Sequence, residues 1–97
     1  MINVKTLSGI ADVNCKVVIV FKNINTVVRI YWDAASASYK YPYAPVGYEA
    51  TIIGIGVKDG NLYSAFAPVT FTNDQIINMA LNGTTRDQLN AHLDDLN

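Results

Sequence analysis

From Cys15 to Lys22 hydrophobic and polar positions alternate, placing Cys15, Val17, Ile19 and Phe21 on one side of an extended chain and Lys16, Val18, Val20 and Lys22 on the other. One side is wholly apolar and the other carries charge only at its ends, the pattern of a strand with one face inward. Asn23-Ile24-Asn25 then connects to Thr26–Asp33, where Val28, Ile30 and Trp32 alternate with Val27, Arg29, Tyr31 and Asp33, so a hairpin is expected. Ala34–Ser38 is small and polar, a loop. Tyr39–Tyr43 returns to an extended pattern, which Pro42 confines to a sheet edge or an irregular crossing. The strongest signal is Glu49–Val57 and Leu62–Phe71 flanking Lys58-Asp59-Gly60-Asn61, because Asp-Gly supplies the positive φ of a tight turn. In the first of these strands Ala50, Ile52, Gly54 and Gly56 share a face, and its glycines leave a shallow surface that another element can approach closely. Whether Ile2–Leu7 pairs as a strand or reaches to a neighbour stays open.

After Thr72 the period changes. Thr72 or Asn73 can cap a helix with Ile76, Ile77, Ala80 and Leu81 on one side, stopped by Gly83. Thr85 with Gln88 matches a capping box, and Leu89, Leu93 and Leu96 follow at helical spacing. Two helices of about three turns each are marginal alone and must dock. Docking on the chain's own sheet and docking on a neighbouring subunit are both open. The expected organisation is a β-domain over residues 1–72 with a helical appendage over 73–97.

Composition narrows the class. The chain has 97 residues, 51% hydrophobic and 15% charged, which is globular and not disordered. Seven basic residues against eight acidic ones provide no electrostatic footprint for nucleic acid and no basic cluster for a membrane surface. The longest apolar run, Val17–Phe21, is far short of the roughly 20 residues of a membrane helix. Cys15 is the single cysteine, so no internal disulfide forms, as in a chain folded in a reducing cytoplasm. Met1–Leu7 lacks the charged and apolar regions of an export signal.

Val28–Asp33, reading Val-Arg-Ile-Tyr-Trp-Asp, resembles the tryptophan-bearing strand of fibronectin type III and related immunoglobulin-like modules. Pro45-Val46-Gly47-Tyr48-Glu49-Ala50-Thr51 resembles their proline-to-tyrosine approach to the penultimate strand, where the tyrosine hydroxyl bonds back to the backbone. The hairpin ending Ala67-Pro68-Val69-Thr70-Phe71-Thr72 is similar to their last two strands. The resemblance implies a mainly β protein, a small immunoglobulin-like β-sandwich, here with a C-terminal pair of short α-helices. It leaves function open, because fold alone does not fix it.

Candidate chemistry is sparse. His92 shares a helical face only with Asp95 or Gln88, too few ligands for a structural metal site. Cys15 falls in an apolar series, as a buried small hydrophobe does, and a nucleophilic role needs His92 or Lys16 beside it. Glu49 is the sole glutamate, and Asp12, Asp33, Asp59, Asp74 and Asp87 sit at loops and caps, too sparse for a dedicated calcium loop. Gly54-Ile55-Gly56 lies within a strand and is no phosphate cradle. No catalytic residue, metal or cofactor is expected.

Two surface features remain. Tyr39, Tyr41 and Tyr43 project to one face of an extended chain and either form a contact strip or cover a rim with their hydroxyls wet. Ile76, Ile77, Leu81, Leu89, Leu93 and Leu96 form an apolar patch unless they dock. These residues make a non-enzymatic structural or assembly module the leading expectation, joining other protein subunits as a homo-oligomer or larger assembly. Such sandwiches resemble the accessory, decoration and fibre-base proteins of phage virions, folded in the cytoplasm. The alternatives are a surface module binding carbohydrate or peptide through its tyrosines, and a small inhibitor protein.

Overall fold

A computed structural model describes residues 1–7 and 9–96 of the chain. Its elements are β1 (Ile2–Thr6), β2 (Cys15–Phe21), β3 (Thr26–Asp33), β4 (Ser38–Tyr41), β5 (Glu49–Lys58), β6 (Asn61–Thr70), β7 (Gln75–Met79), β8 (Asn82–Gly83) and α1 (Arg86–Asp94). The alternating segments are strands. Two of the three hairpins use residues that tolerate positive φ, Asn23 at 69° and Asn25 at 48° between β2 and β3, and Asp59 at 53° and Gly60 at 77° between β5 and β6; the third, between β3 and β4, takes Ala37 through 50°.

The strands form one sheet in the order β7-β1-β4-β3-β2-β5-β6-β8. Each neighbouring pair is antiparallel except β1 and β7, which run parallel with Ile2 opposite Gln75 and Thr6 opposite Met79. The sheet curls. β3 pairs through Thr26–Ile30 with β2 and through Tyr31–Asp33 with β4, so it belongs to both halves. β7 and β8 lie at opposite ends of the strand order, yet only Ala80 and Leu81 separate them. A chain that short spans at most about 11 Å between Met79 and Asn82, so the two edges meet at one end. The result is 36 × 34 × 16 Å, thin in one direction.

The core lies between the two halves. Ile2 and Val4 of β1, Val17 and Ile19 of β2 and Ile52 of β5 are fully buried together, joined by Ile30, Tyr39, Phe71, Met79 and Leu81. Gly54 and Gly56 are approached closely, as their pattern predicts: a Cβ on Gly54 would stand 3.2 Å from Leu81 Cδ1, and one on Gly56 2.8 Å from Ile10 Cδ1. The opposite face of β5 is buried too, since Ile53 is 1% exposed. Ile53 and Phe66 are neighbours in the β5–β6 register, and the His92 ring of α1 stands edge-on to Phe66 at 4.8 Å. The helix therefore docks on its own chain's sheet, with Leu89 buried. Its start is the capping box read from the sequence: Gln88 N–H donates to Thr85 Oγ1 at 3.2 Å and Thr85 N–H to Gln88 Oε1 at 3.0 Å.

Two expectations need correction. The first of the two short helices is not formed, because Gln75–Met79 is a strand and Ala80–Gly83 carries the chain to β8. Gln75-Ile76-Ile77-Asn78-Met79 also satisfies a period of two, with Ile77 and Met79 packed inward and Ile76 outward. A helix so short is marginal, whereas the open edge of β1 offers a full parallel ladder to a β-branched pair. Instead of capping a helix, Thr72 donates its backbone N–H to Gln75 Oε1 at 3.1 Å. The stretch before Pro42 is not an edge strand: β4 lies between β1 and β3, and it ends at Tyr41, so the proline interrupts no ladder. Trp32 is 41% exposed and packs edge-on against Tyr39 at 5.3 Å. Among the described residues no helix is long and apolar enough to cross a membrane.

Candidate protein-contact surface

The three tyrosines of the predicted strip part company. Because β4 is interior, its inward residues enter the core: Tyr39 lies opposite Val4 and Trp32, is 3% exposed, and donates its hydroxyl to Asp12 O at 3.3 Å and Cys15 O at 3.5 Å. Tyr41, opposite Ile2, is half-buried, and Tyr43, beyond the strand, is 65% exposed. The other residues of the predicted contact set divide likewise. Leu81 and Leu89 are buried within the chain, Ile77, Leu93 and Leu96 are half-buried, and Ile76 stands exposed on β7.

What the structure assembles instead is an aromatic corner on the 42–48 connection. Tyr48 N–H donates to Pro45 O at 3.0 Å, closing a turn whose third residue, Gly47, has φ 85°, the positive value a type II turn requires there. Gly47 N–H donates to Phe71 O at 2.9 Å and Phe71 N–H to Tyr48 O at 3.0 Å, tying the turn to the end of β6. Beneath it Phe21 is the hub, its ring centre 5.8 Å from Phe71, 6.2 Å from Tyr48 and 6.3 Å from Tyr41, while Tyr43 stands edge-on to Tyr41 at 5.2 Å. Val46 and Tyr48 are exposed alongside Tyr43. Edge-on ring pairs and backbone bonds hold these groups before any partner arrives, which lowers the ordering cost of contact. The sequence pattern overlooked Val46, which the turn leaves 59% exposed.

A shallow groove of about 840 Å³ adjoins this corner through Phe21, Lys22 and Glu49. Val20, Val27, Thr51 and Pro68 line it on the sheet, and Asp95 and Leu96 beyond α1 complete it. Lys22 and Glu49 pair at 3.7 Å across its rim, both well exposed, so the pair contributes little to stability.

A polar cluster at the β3–β4 turn is engaged in the fold. Asp33 Oδ2 accepts from the Ser36 hydroxyl at 2.7 Å and its backbone N–H at 3.3 Å, Ser36 and Ser38 hydroxyls pair at 2.7 Å, and Ser38 donates to Asn3 Oδ1 at 3.0 Å. The Ser36 hydroxyl, with Lys40 nearby, holds the Asp33 carboxyl below the usual carboxylate range. This chain ties the β3–β4 turn to β1, and its Ser38 is fully buried.

Burial pushes the Cys15 thiol above its ordinary pKa, against a smaller opposing effect of Tyr39, and burial likewise raises the Tyr39 phenol, aided by Cys15. Both groups are therefore harder to ionise folded than unfolded. Their contribution to stability is complete below the unfolded pKa values and is lost as pH rises through the folded ones, so stability should decline on the alkaline side. Iodoacetamide at pH 8 should modify Cys15 at least tenfold more slowly in the native protein than in urea, an order of magnitude set by thiolate fraction and access. Equal rates in the two states would contradict this placement.

No family model, curated protein or solved structure gives a significant match to this chain.

Proposed function

We propose that this protein is a non-enzymatic assembly module that joins other protein subunits through its aromatic corner. The observation that carries this is the exposure of Tyr43, Val46 and Tyr48, at 65%, 59% and 51%, on a loop that backbone bonds and the Phe21–Phe71 pair hold rigid. Aromatic side chains on a preorganised support are the usual anchors of protein interfaces, because they remove much area from water at little entropic cost. The immunoglobulin-like sandwich and a place among phage virion accessory proteins belong to this proposal. A core enclosed between two halves of a β-sheet supports the former, and the balanced charge and exposed rings are compatible with the latter.

The test is the size of the particle that contains the chain in its native source, for wild type and for a Tyr43→Ser/Val46→Ser variant. Wild type should fractionate in a complex several times its own 10.6 kDa, and the variant as the free chain with thermal unfolding unchanged. Wild type found only as the free chain would sink the proposal. Binding to a glycan array that the tyrosine substitution abolishes would favour the carbohydrate module instead, since exposed rings also stack on sugars.

A further inference from the structure

The two edges of the sheet are not alike. Leu62 O accepts from Thr84 N–H on the side of β6 away from β5, so the even-numbered residues of β6 direct their backbone groups outward. Pro68 is one of them, opposite Thr51, and it offers no N–H. β8 covers Tyr63 and Ser64. That edge is blunted in the usual manner of edge strands.

Among the described residues no strand pairs with the outer edge of β7. Gln75 N–H donates to Met1 O and Met79 O accepts from Leu7 N–H, so residues 75, 77 and 79 bond to β1 while Ile76 and Asn78 direct N–H and C=O away from the sheet. No proline and no charged residue lies within Gln75–Met79, and the Ile76 side chain is 61% exposed. An unpaired, uncharged edge of this kind is a template for another strand.

We propose that the free edge of β7 pairs antiparallel with β7 of a second copy of this chain, about a two-fold axis at Ile77. The hydrogen-bonding pattern is self-complementary in that register. Ile76 of each copy faces Asn78 of the other, and the outward groups of the two residues form about four inter-copy hydrogen bonds. On the inner face the half-buried Ile77 side chains of the two copies meet across the axis as a non-hydrogen-bonded pair, the closer kind. No like charges are brought together along the strand. This surface is separate from the aromatic corner, and the inference names its partner where the corner does not.

The test uses the purified full chain: mass by light scattering over a roughly hundredfold range of concentration, with amide exchange by NMR at each end of the range, since self-association follows mass action. The mass should rise from 10.6 kDa toward twice that value. The Ile76 and Asn78 amides should gain protection with concentration, while the outward amides of Phe66 and Thr70 should not. Asn78→Pro removes an outward N–H that no internal bond uses, and should hold the chain monomeric. Should that variant misfold, Ile76→Lys places a charge on each copy near the axis without touching the core, and should weaken association at least tenfold. A chain that stays monomeric throughout, or a dimer that these variants leave intact with Ile76 and Asn78 unprotected, overturns the proposal. Because the aromatic corner is untouched in these variants, failure here leaves the native-complex experiment to decide the assembly function separately.

Discussion

Replacing Leu81 with alanine should lower the unfolding free energy by about 3–5 kcal/mol, the upper part of the range for a buried leucine. Leu81 is 6% exposed and its two methyl groups rest on Gly54 and Gly56, within 3.2–3.3 Å of where Cβ atoms would stand. A truncated side chain usually costs less where neighbours can lean into the space. Here the floor is glycine backbone, which has no side chain to move, so the Met79 and Ile10 side chains beside it can fill the cavity in part but the floor cannot. Leu81 also sits in the two-residue link by which the edge strands β7 and β8 meet, so the loss reaches both ends of the sheet. Urea unfolding would show it as a fall in midpoint with the slope unchanged. Gly54→Ala alone should cost far less, because the atoms nearest its Cβ belong to the Leu81 and Met79 side chains rather than to backbone. In the Leu81→Ala background the same methyl occupies part of the cavity, so the double variant should be more stable than the two single losses predict. Additive losses would mean that Leu81 does not fill the glycine surface.

The second large effect is expected from Phe71→Ala, at about 3–5 kcal/mol for a buried phenylalanine. Phe71 is 1% exposed and packs against Phe21, while its backbone holds Gly47 and Tyr48. Against a typical total of about 5–15 kcal/mol for a small domain, that loss leaves a marginal protein. It should also loosen the 42–48 loop, read as a weaker near-ultraviolet dichroism of the aromatic cluster. Tyr43→Ser, at an exposed position on the same cluster, should change stability by no more than about 0.5 kcal/mol. The contrast separates the inner rings, which hold the corner, from the outer ones, which are free to contact a partner. A comparable loss from both substitutions would show that Tyr43 is structural and would remove the main support for a contact role.

Several features were legible because they act within a few residues. Asp59-Gly60 set the β5–β6 hairpin through positive φ, and Thr85 with Gln88 set the helix start through reciprocal hydrogen bonds. The apolar series Cys15, Val17, Ile19 and Phe21 faced the core because alternation leaves a strand no other way to bury it. Residues 73–83 are ambiguous in sequence because Ile76-Ile77 suits both periods. The arbiter was the edge of β1, more than 70 residues away in sequence. The burial of Tyr39 is hidden from the sequence for a related reason. Its shared face with Tyr41 could be read from spacing, but the inward direction of that face depends on β4 lying between β1 and β3.

The contact surface shows the same division. Local patterns along the chain suffice to show that it is mainly β, where its tight turns fall, where its last helix starts, and that Gly54 and Gly56 present a surface open to close approach. All of these follow from backbone conformation and side-chain alternation over short spans. The folded sheet is needed to see that Tyr39 is core and Tyr43 surface, that Phe21 and Phe71 gather Tyr41, Tyr43 and Tyr48 into one corner, and that β7 lies at the end of the strand order. These depend on which distant strands pair, and pairing is settled by the burial and hydrogen bonding of the whole sheet rather than by any local preference.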